Sequence, residues 1–352
     1  MTPTDATADG MVTVIFRQAS ATVALHTNSD AAVRAAQNAL YAYRVDDAAE
    51  PAWHLTIDPR RPAEPGWRFS GATECEIGPR LTARRLGDQW WVPDIQSLIS
   101  LDRPAHRLTV HCPDAAAPRW SLRLVRQLMT GQRLTTGAAY AHAAAFTTSG
   151  RGVAVAGLKG AGKTTTLLAA LRHLGANYVS NDRILLHRTG SGIVAEAWPQ
   201  RVHVGAGTLS AFPDLADLAH NHPPEPGDRR DKVTIEPHDF SRMLRGGTLA
   251  SSCVLNTIIL PRLSLEHCDA DAEPIAPAEV RRTLVSTRMF MVNPAAGYAA
   301  HVNHWLGTGH NTDRGIEELA DHLAAAVPCF RLRVGTCPQK VAAVLGKLTS
   351  TW

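Results

Sequence analysis

Hydrophobic and polar positions alternate along the first third of the chain, with short apolar runs at Val12–Phe16, Trp53–Ile57, Trp90–Val92 and Leu108–Val110. Pro, Gly and Asp separate these runs, which is the punctuation of a strand-rich region. One stretch departs from it: Ser29 and Asp30 can cap a helix reaching about Tyr43. The spacing predicts a small α+β domain over residues 11–118, in a substrate-recruiting or supporting role. The polar, acidic residues 1–10 are expected to be a flexible leader.

From about Ala117 the period changes. Leu122, Leu124, Val125, Leu128 and Met129 fall at helical spacing, so a helix is expected to lead into a second domain at 119–352. Ala143–Thr148 and Gly152–Ala156 then read as a hairpin turning at Ser149-Gly150-Arg151-Gly152. Further on, helices are predicted at Lys163–Leu174, Asp214–Ala219, Pro277–Val292, Gly315–Val327 and Pro338–Leu348. Strands are predicted at Tyr178–Ser180, Ile184–Arg188, Val254–Leu260 and Phe330–Val334. His220–Asp231, rich in Pro and charge, reads as a loop able to close over a substrate.

The second strand of the hairpin runs into Gly157-Leu158-Lys159-Gly160-Ala161-Gly162-Lys163-Thr164, followed by Thr165. This satisfies G-x-x-x-x-G-K-[ST] at every fixed position, between a strand and a helix as the mechanism requires. Glycines bring backbone N–H groups against phosphate oxygens, and the helix offers its positive end to the same anion. Lys163 is placed to reach the β- and γ-phosphates of ATP, and the Thr164 hydroxyl to ligate Mg²⁺.

Two further positions stand near this loop. Asp182 ends the short strand in Tyr178-Val179-Ser180-Asn181-Asp182-Arg183, where a carboxylate can hold Mg²⁺ or accept a proton from a hydroxyl. His142 immediately precedes the hairpin. Taken alone, a lone histidine is a packing residue and an aspartate after a strand is a turn residue as readily as either is catalytic.

A histidine before a hairpin, then G-x-x-G-x-G-K-T, then Gly-Ala-x-Tyr-Val-Ser-Asn-Asp-Arg resembles the HPr kinase/phosphorylase superfamily. It is closest in pattern to the HPr-kinase-related proteins of peptide-modification gene clusters. The resemblance spans roughly Trp120–Leu348. It implies an α/β fold: a P-loop domain of the HPr-kinase and phosphoenolpyruvate-carboxykinase type, here with an additional N-terminal α+β domain. It also implies phosphoryl transfer from nucleotide to a serine hydroxyl with Mg²⁺, using His142, Asp182 and Lys163. Asp182 takes the second position of the family's Asp-Asp pair, and the first is Asn181. An amide cannot act as a carboxylate base, although its oxygen can ligate metal. The Gly- and Arg-rich signature loop of the true HPr kinases is not found, so HPr itself is not expected as the substrate. A monomer or a homo-oligomer smaller than the family's hexamer is expected.

Transferring a phosphoryl group needs cations on its equatorial oxygens, and Arg201, Arg230 and Lys232 are candidate clamps, with Arg288 of the same standing. The acceptor implied is a Ser or Thr of a peptide or protein. A small hydroxylated metabolite is the alternative, and a nucleotide-binding regulator without transfer chemistry is the alternative of another class. No guanine-reading N-K-x-D and no LSGGQ-type signature accompanies the loop, which sets aside GTPase and transporter readings.

Composition changes this picture little. Hydrophobic residues make up 45% and charged residues 19%, the profile of an ordinary globular chain. The formal charge of +4 is scattered rather than gathered into the basic stripe of a nucleic-acid binder, so nucleic acid is not an expected partner. Six cysteines without a CxxC pair argue against a zinc site or a disulfide framework. With no apolar run of membrane-spanning length and no secretory pattern at residues 1–10, a cytoplasmic location without membrane partners is expected.

Overall fold

The computed structural model describes residues 10–46, 50–59, 71–78, 81–198, 202–215, 232–235, 240, 244, 246–286, 289 and 313–351. These form a mixed α/β structure in two compact units, one running through Thr136 and the other from Gly137 onward.

The first unit is built on a sheet of nine strands among the described residues. They are β1 (Val12–Gln18), β2 (Ala21–Thr27), β3 (Arg44–Val45), β4 (Trp53–Asp58), β5 (Thr73–Gly78), β6 (Leu81–Leu86), β7 (Gln89–Val92), β8 (Ser97–Asp102) and β9 (Arg107–His111). Their order across the sheet is β3-β1-β2-β4-β9-β8-β7-β6-β5. The pairs β2–β4 and β4–β9 are parallel. Helix α1 (Asp30–Ala39) makes the crossover that parallel strands require, and the Ser29 Oγ caps it by accepting from the Ala32 backbone N–H at 3.3 Å. It ends at Ala39, and a 3₁₀ turn at Tyr41–Tyr43 occupies the rest of the expected helix.

Helix α2 (Ala117–Thr135) falls in the first unit, which runs through Thr136. It closes the first unit instead of opening the second. Trp120, Leu124, Val125 and Leu128 are fully buried in one core with Phe16, Leu25, Leu55 and Trp90. The Trp120 indole N–H also donates to Ser97 Oγ at 2.8 Å, satisfying a polar group that burial would otherwise strand.

The second unit holds β10 (Ala139–Ala141), β11 (Ala143–Thr148), β12 (Arg151–Ala156), β13 (Asn177–Ser180), β14 (Ile184–Thr189), β15 (Gly192–Ala197), β16 (Val202–Gly205), β17 (Lys232–Ile235), β18 (Ser252–Leu263), β19 (Asp271–Pro274) and β20 (Cys329–Val334). The helices are α3 (Lys163–His173), α4 (Ala206–Ala211), α5 (Pro277–Ser286), α6 (Asp313–Ala326) and α7 (Pro338–Thr351). Strands β11 and β12 form the expected hairpin, its turn made by Ser149 and Gly150, both at positive φ. On its other side β12 runs parallel to β18, and β18 runs parallel to β20.

Along this part of the sheet the order is therefore β13-β11-β12-β18-β20. The C-terminal ends of β12, β13, β18 and β20 lie along one edge together with the start of β11. Helix α3 returns from that edge, and Leu167 and Leu171 pack in one core with Phe146, Val155, Ile259 and Val341.

Two sequence expectations move here. The short helix after Gly205 is α4, ahead of the expected Asp214–Ala219, where Pro213–Leu215 forms a 3₁₀ turn and 216–219 lie outside the described residues. Helix α5 stops at Ser286.

Candidate active site at the ends of the parallel strands

The glycine-rich loop fills the gap between β12 and α3. Gly160 and Gly162 take φ values of +85° and +108°, which side-chain-bearing residues adopt only at a cost. The turn they make delivers Lys163 to the first position of α3, where its side chain is buried with 8% exposure. An ammonium so enclosed needs acceptors. Its Nζ donates to the Gly157 carbonyl at 2.7 Å and to that of Leu158 at 3.3 Å. The Thr166 hydroxyl ties back to the Gly162 carbonyl at 2.9 Å, and Thr165 Oγ1 lies 3.0 Å from Thr208 Oγ1 on α4.

His142 and Asp182 arrive from a corner. His142 is the single residue between β10 and β11, while Asn181-Asp182-Arg183 joins β13 to β14. Because β10 pairs with β14 and β11 with β13, two antiparallel strands cross this corner side by side. The His142 Nε2 is 2.8 Å from Asp182 Oδ1.

Burial works against the Asp182 carboxylate. The hydrogen bond and charge of His142 outweigh it, with help from Arg183 and Lys163, and hold the group down to about 2. Arg183, whose Nε lies 3.6 Å from Asp182 Oδ2, also donates from Nη1 to the Tyr140 hydroxyl at 3.0 Å. Burial disfavours this cation too, but Tyr140 and Asp182 raise its pKa.

A cavity of about 800 Å³ brings most of the sequence-predicted residues together: His142, Lys159, Gly160, Gly162, Lys163, Thr164, Thr165 and Asp182 all line it. Gly157 and Ala161 line a second cavity beside it, of about 860 Å³. Asn181 is not brought to the first cavity wall. It is 3% exposed, and its Oδ1 accepts from the Tyr178 hydroxyl at 3.0 Å, so the expected metal-ligating oxygen is turned into the protein.

Arg201, Arg230, Arg288 and the loop His220–Asp231 lie outside the described residues. Lys232 starts β17, and its side chain is likewise outside them. Among the described residues no cluster of three or more His, Cys, Asp or Glu could hold a metal. A carboxylate held ionised and a hydroxyl, Asp182 and Thr164, do face one cavity. Mg²⁺ bound to a polyphosphate commonly takes one or two such protein oxygens and keeps several waters, so the donor set fits that ion.

Sequence reasoning passed over Arg183, Tyr140 and Thr208. Arg183 stands beside Asp182 in the quoted motif and was the one legible signal. Tyr140 and Thr208 reach the site only through pairing across the fold.

No protein-family model matches the chain, and no curated protein matches it. Among solved structures it is similar to an Hpr(Ser) kinase/phosphatase from Coxiella burnetii, at 11% identity and a TM-score of 0.29, over 60% of this chain and 96% of that one. The likeness is too slight to carry weight beside the geometry.

Proposed function

We propose that the second unit is an ATP-dependent phosphotransferase that moves the γ-phosphoryl group to a hydroxyl, with a Ser or Thr of a peptide or protein as acceptor. The observation that carries this reading is the single cavity in which Lys163 and Thr164 of the glycine-rich loop face the His142–Asp182 pair. A loop that cradles phosphates needs an acceptor-activating group near it to be a kinase, and the His142–Asp182 pair has the chemistry for that part.

The roles follow from the protonation states. A carboxyl held near 2 is ionised at neutral pH and is a poor proton acceptor. It accepts hydrogen bonds only, so His142 Nε2 carries the proton between them, and in the neutral ring Nδ1 is the basic nitrogen. Asp182 orients the imidazole, and His142 takes the acceptor's proton. The bond from the γ-phosphorus to the β–γ bridging oxygen breaks and one to the acceptor oxygen forms. ADP leaves, and the proton passes from His142 to solvent.

Lys163 exchanges its bonds to the Gly157 and Leu158 carbonyls for phosphate oxygens and neutralises charge there. Mg²⁺, held by Thr164 and Asp182, would supply further neutralisation of the phosphates.

Intact-mass measurement of candidate Ser- and Thr-containing peptides after incubation with the protein, ATP and Mg²⁺ tests the reading. A gain of one phosphate on a peptide is expected. Phosphate appearing only on small polyols or amino alcohols would move the acceptor to metabolites. Tight nucleotide binding with neither product would favour a regulator, a reading to which the inward-turned amide of Asn181 lends its one support.

A further inference from the structure

Large apolar side chains exposed on a surface are informative when they gather around a functional feature. Leu158 is 54% exposed, Leu263 38% and Leu265 75%. All three line the cavity of about 860 Å³ beside the glycine-rich loop. Leu263 and Leu265 also line the cavity that holds Lys163 and Asp182, so the two cavities adjoin at these side chains.

The sheet order gives that wall a direction. His142 and Asp182 stand at the β11 and β13 end of the edge, and the glycine-rich loop follows β12. Leu263 ends β18, and Gly335 and Thr336 follow β20. Strands lie about 4.8 Å apart, so β11 and β20 are separated by roughly 14 Å at this edge. A triphosphate whose reacting end meets His142 and Asp182 must send its nucleoside away from them, towards β18 and β20. Ligands of open α/β sheets lie across the carboxyl ends of parallel strands in this way.

The segment leaving β18 is held firmly. The Ser264 backbone N–H donates to the Val334 carbonyl, and that of Thr336 to the His267 carbonyl, each at 2.9 Å. Gly335 passes so close beneath that a Cβ there would lie 2.3 Å from the Asp269 carbonyl oxygen. Leu263 and Leu265 are thus fixed on a braced backbone, which is what a preformed site requires.

We infer that this cleft is the nucleobase site: the flat face of a purine packs against Leu158, Leu263 and Leu265 while the triphosphate lies in the glycine-rich loop. The inference rests on the nucleotide reading above and adds where the nucleoside lies and what recognises it. Apolar faces supply the contact, and they read an aromatic plane rather than its edge substituents.

The test compares ATP with inorganic tripolyphosphate, which has the phosphates but no base, by calorimetry on the full chain. Substituting Leu263→Ser together with Leu265→Ser removes two exposed side chains outside the phosphate loop, so folding is not at issue, and Leu86→Ser on β6 serves as a surface control. The double variant is expected to bind ATP about tenfold more weakly, the scale of losing apolar contact at one or two leucines. Its affinity for tripolyphosphate should stay within about twofold, and Leu86→Ser should change neither. Unchanged ATP affinity, with tripolyphosphate still bound, would overturn the base placement alone. Failure of the wild-type chain to bind tripolyphosphate or ATP would overturn the phosphate-loop reading and this inference with it.

Discussion

His142 Nε2 and Asp182 Oδ1 lie 2.8 Å apart although the residues are forty positions apart in the chain. Neither residue belongs to a strand: His142 lies between β10 and β11, and Asp182 between β13 and β14. Ala141 pairs with Ile184 on one side of the corner and Ala145 with Ser180 on the other, so the register is carried through it. The pairing of apolar neighbours sets the polar pair. The proximity therefore comes from the fold rather than from the attraction between the two groups, which adds to it.

Lys163→Ala removes the one buried ammonium that the glycine-rich loop encloses. The Gly157 and Leu158 carbonyls lose their donor, and a triphosphate in the loop would lose the cation proposed to neutralise it. ATP affinity and turnover are each expected to fall by about 10²-fold or more, as loss of a charge-assisted contact implies. Titration with ATP and a phosphoryl-transfer assay measure both, and a variant with normal turnover would remove the loop from the chemistry.

Asp182→Asn keeps the shape of the side chain and removes its charge. Transfer is expected to fall by about 10²–10⁴-fold while ATP affinity changes only a few-fold. In the wild type the carboxyl is lowered from 3.8 to about 2 in the folded chain. The stability it contributes is accordingly present above pH 4 and lost as the pH falls towards 2. Carbon NMR of the labelled carboxyl should show it ionised at pH 4; a midpoint at or above 4 would mean that the pair with His142 does not form in solution.

His142→Ala is expected to slow transfer by about 10²-fold or more, the range for a group that moves a proton in the transition state. The Asp182 carboxyl should rise with it, having lost both the hydrogen bond and the charge of the imidazole. A variant whose rate is normal but whose Asp182 pKa rises would show a positioning role alone.

Trp120→Ala tests the boundary between the units. The side chain is fully buried in the first core and hydrogen-bonded to Ser97, so truncation should cost about 3–5 kcal/mol in the denaturant-induced unfolding of that unit. A loss below about 1 kcal/mol would return helix α2 to the second unit.

The strands with one buried face were legible as alternation, and Ser29 announced α1 by its capping chemistry. The β5–β6 hairpin was not: Cys75, Ile77, Leu81 and Ala83 do give it an apolar face, but small side chains make up half of that face and Glu74, Glu76, Arg84 and Arg85 dominate the composition. The apolar stripe of α2 reads as helical from the sequence, but nothing in the spacing of Trp120 and Leu124 tells which core they meet. At the site, the glycine-rich loop is local and was readable residue by residue. Arg183 with Tyr140, and Leu158 with Leu263 and Leu265, join positions far apart in the chain. Pairings of that kind are set by strand order, which no local pattern encodes.

The unbroken register through the corner bears on how such a site tolerates change over time. Apolar substitutions in β10, β11, β13 and β14 leave the two polar residues facing each other, so drift in these strands is absorbed. A single inserted or deleted residue between Ala141 and Ala145 or between Ser180 and Ile184 would slide His142 past Asp182, whereas beyond this stretch the pairing of β11 with β13 already takes up a register shift between Ala145 and Phe146. The segments Ala141–Ala145 and Ser180–Ile184 thus tolerate a change of composition far more readily than a change of length, because it is their count that sets one polar group opposite the other.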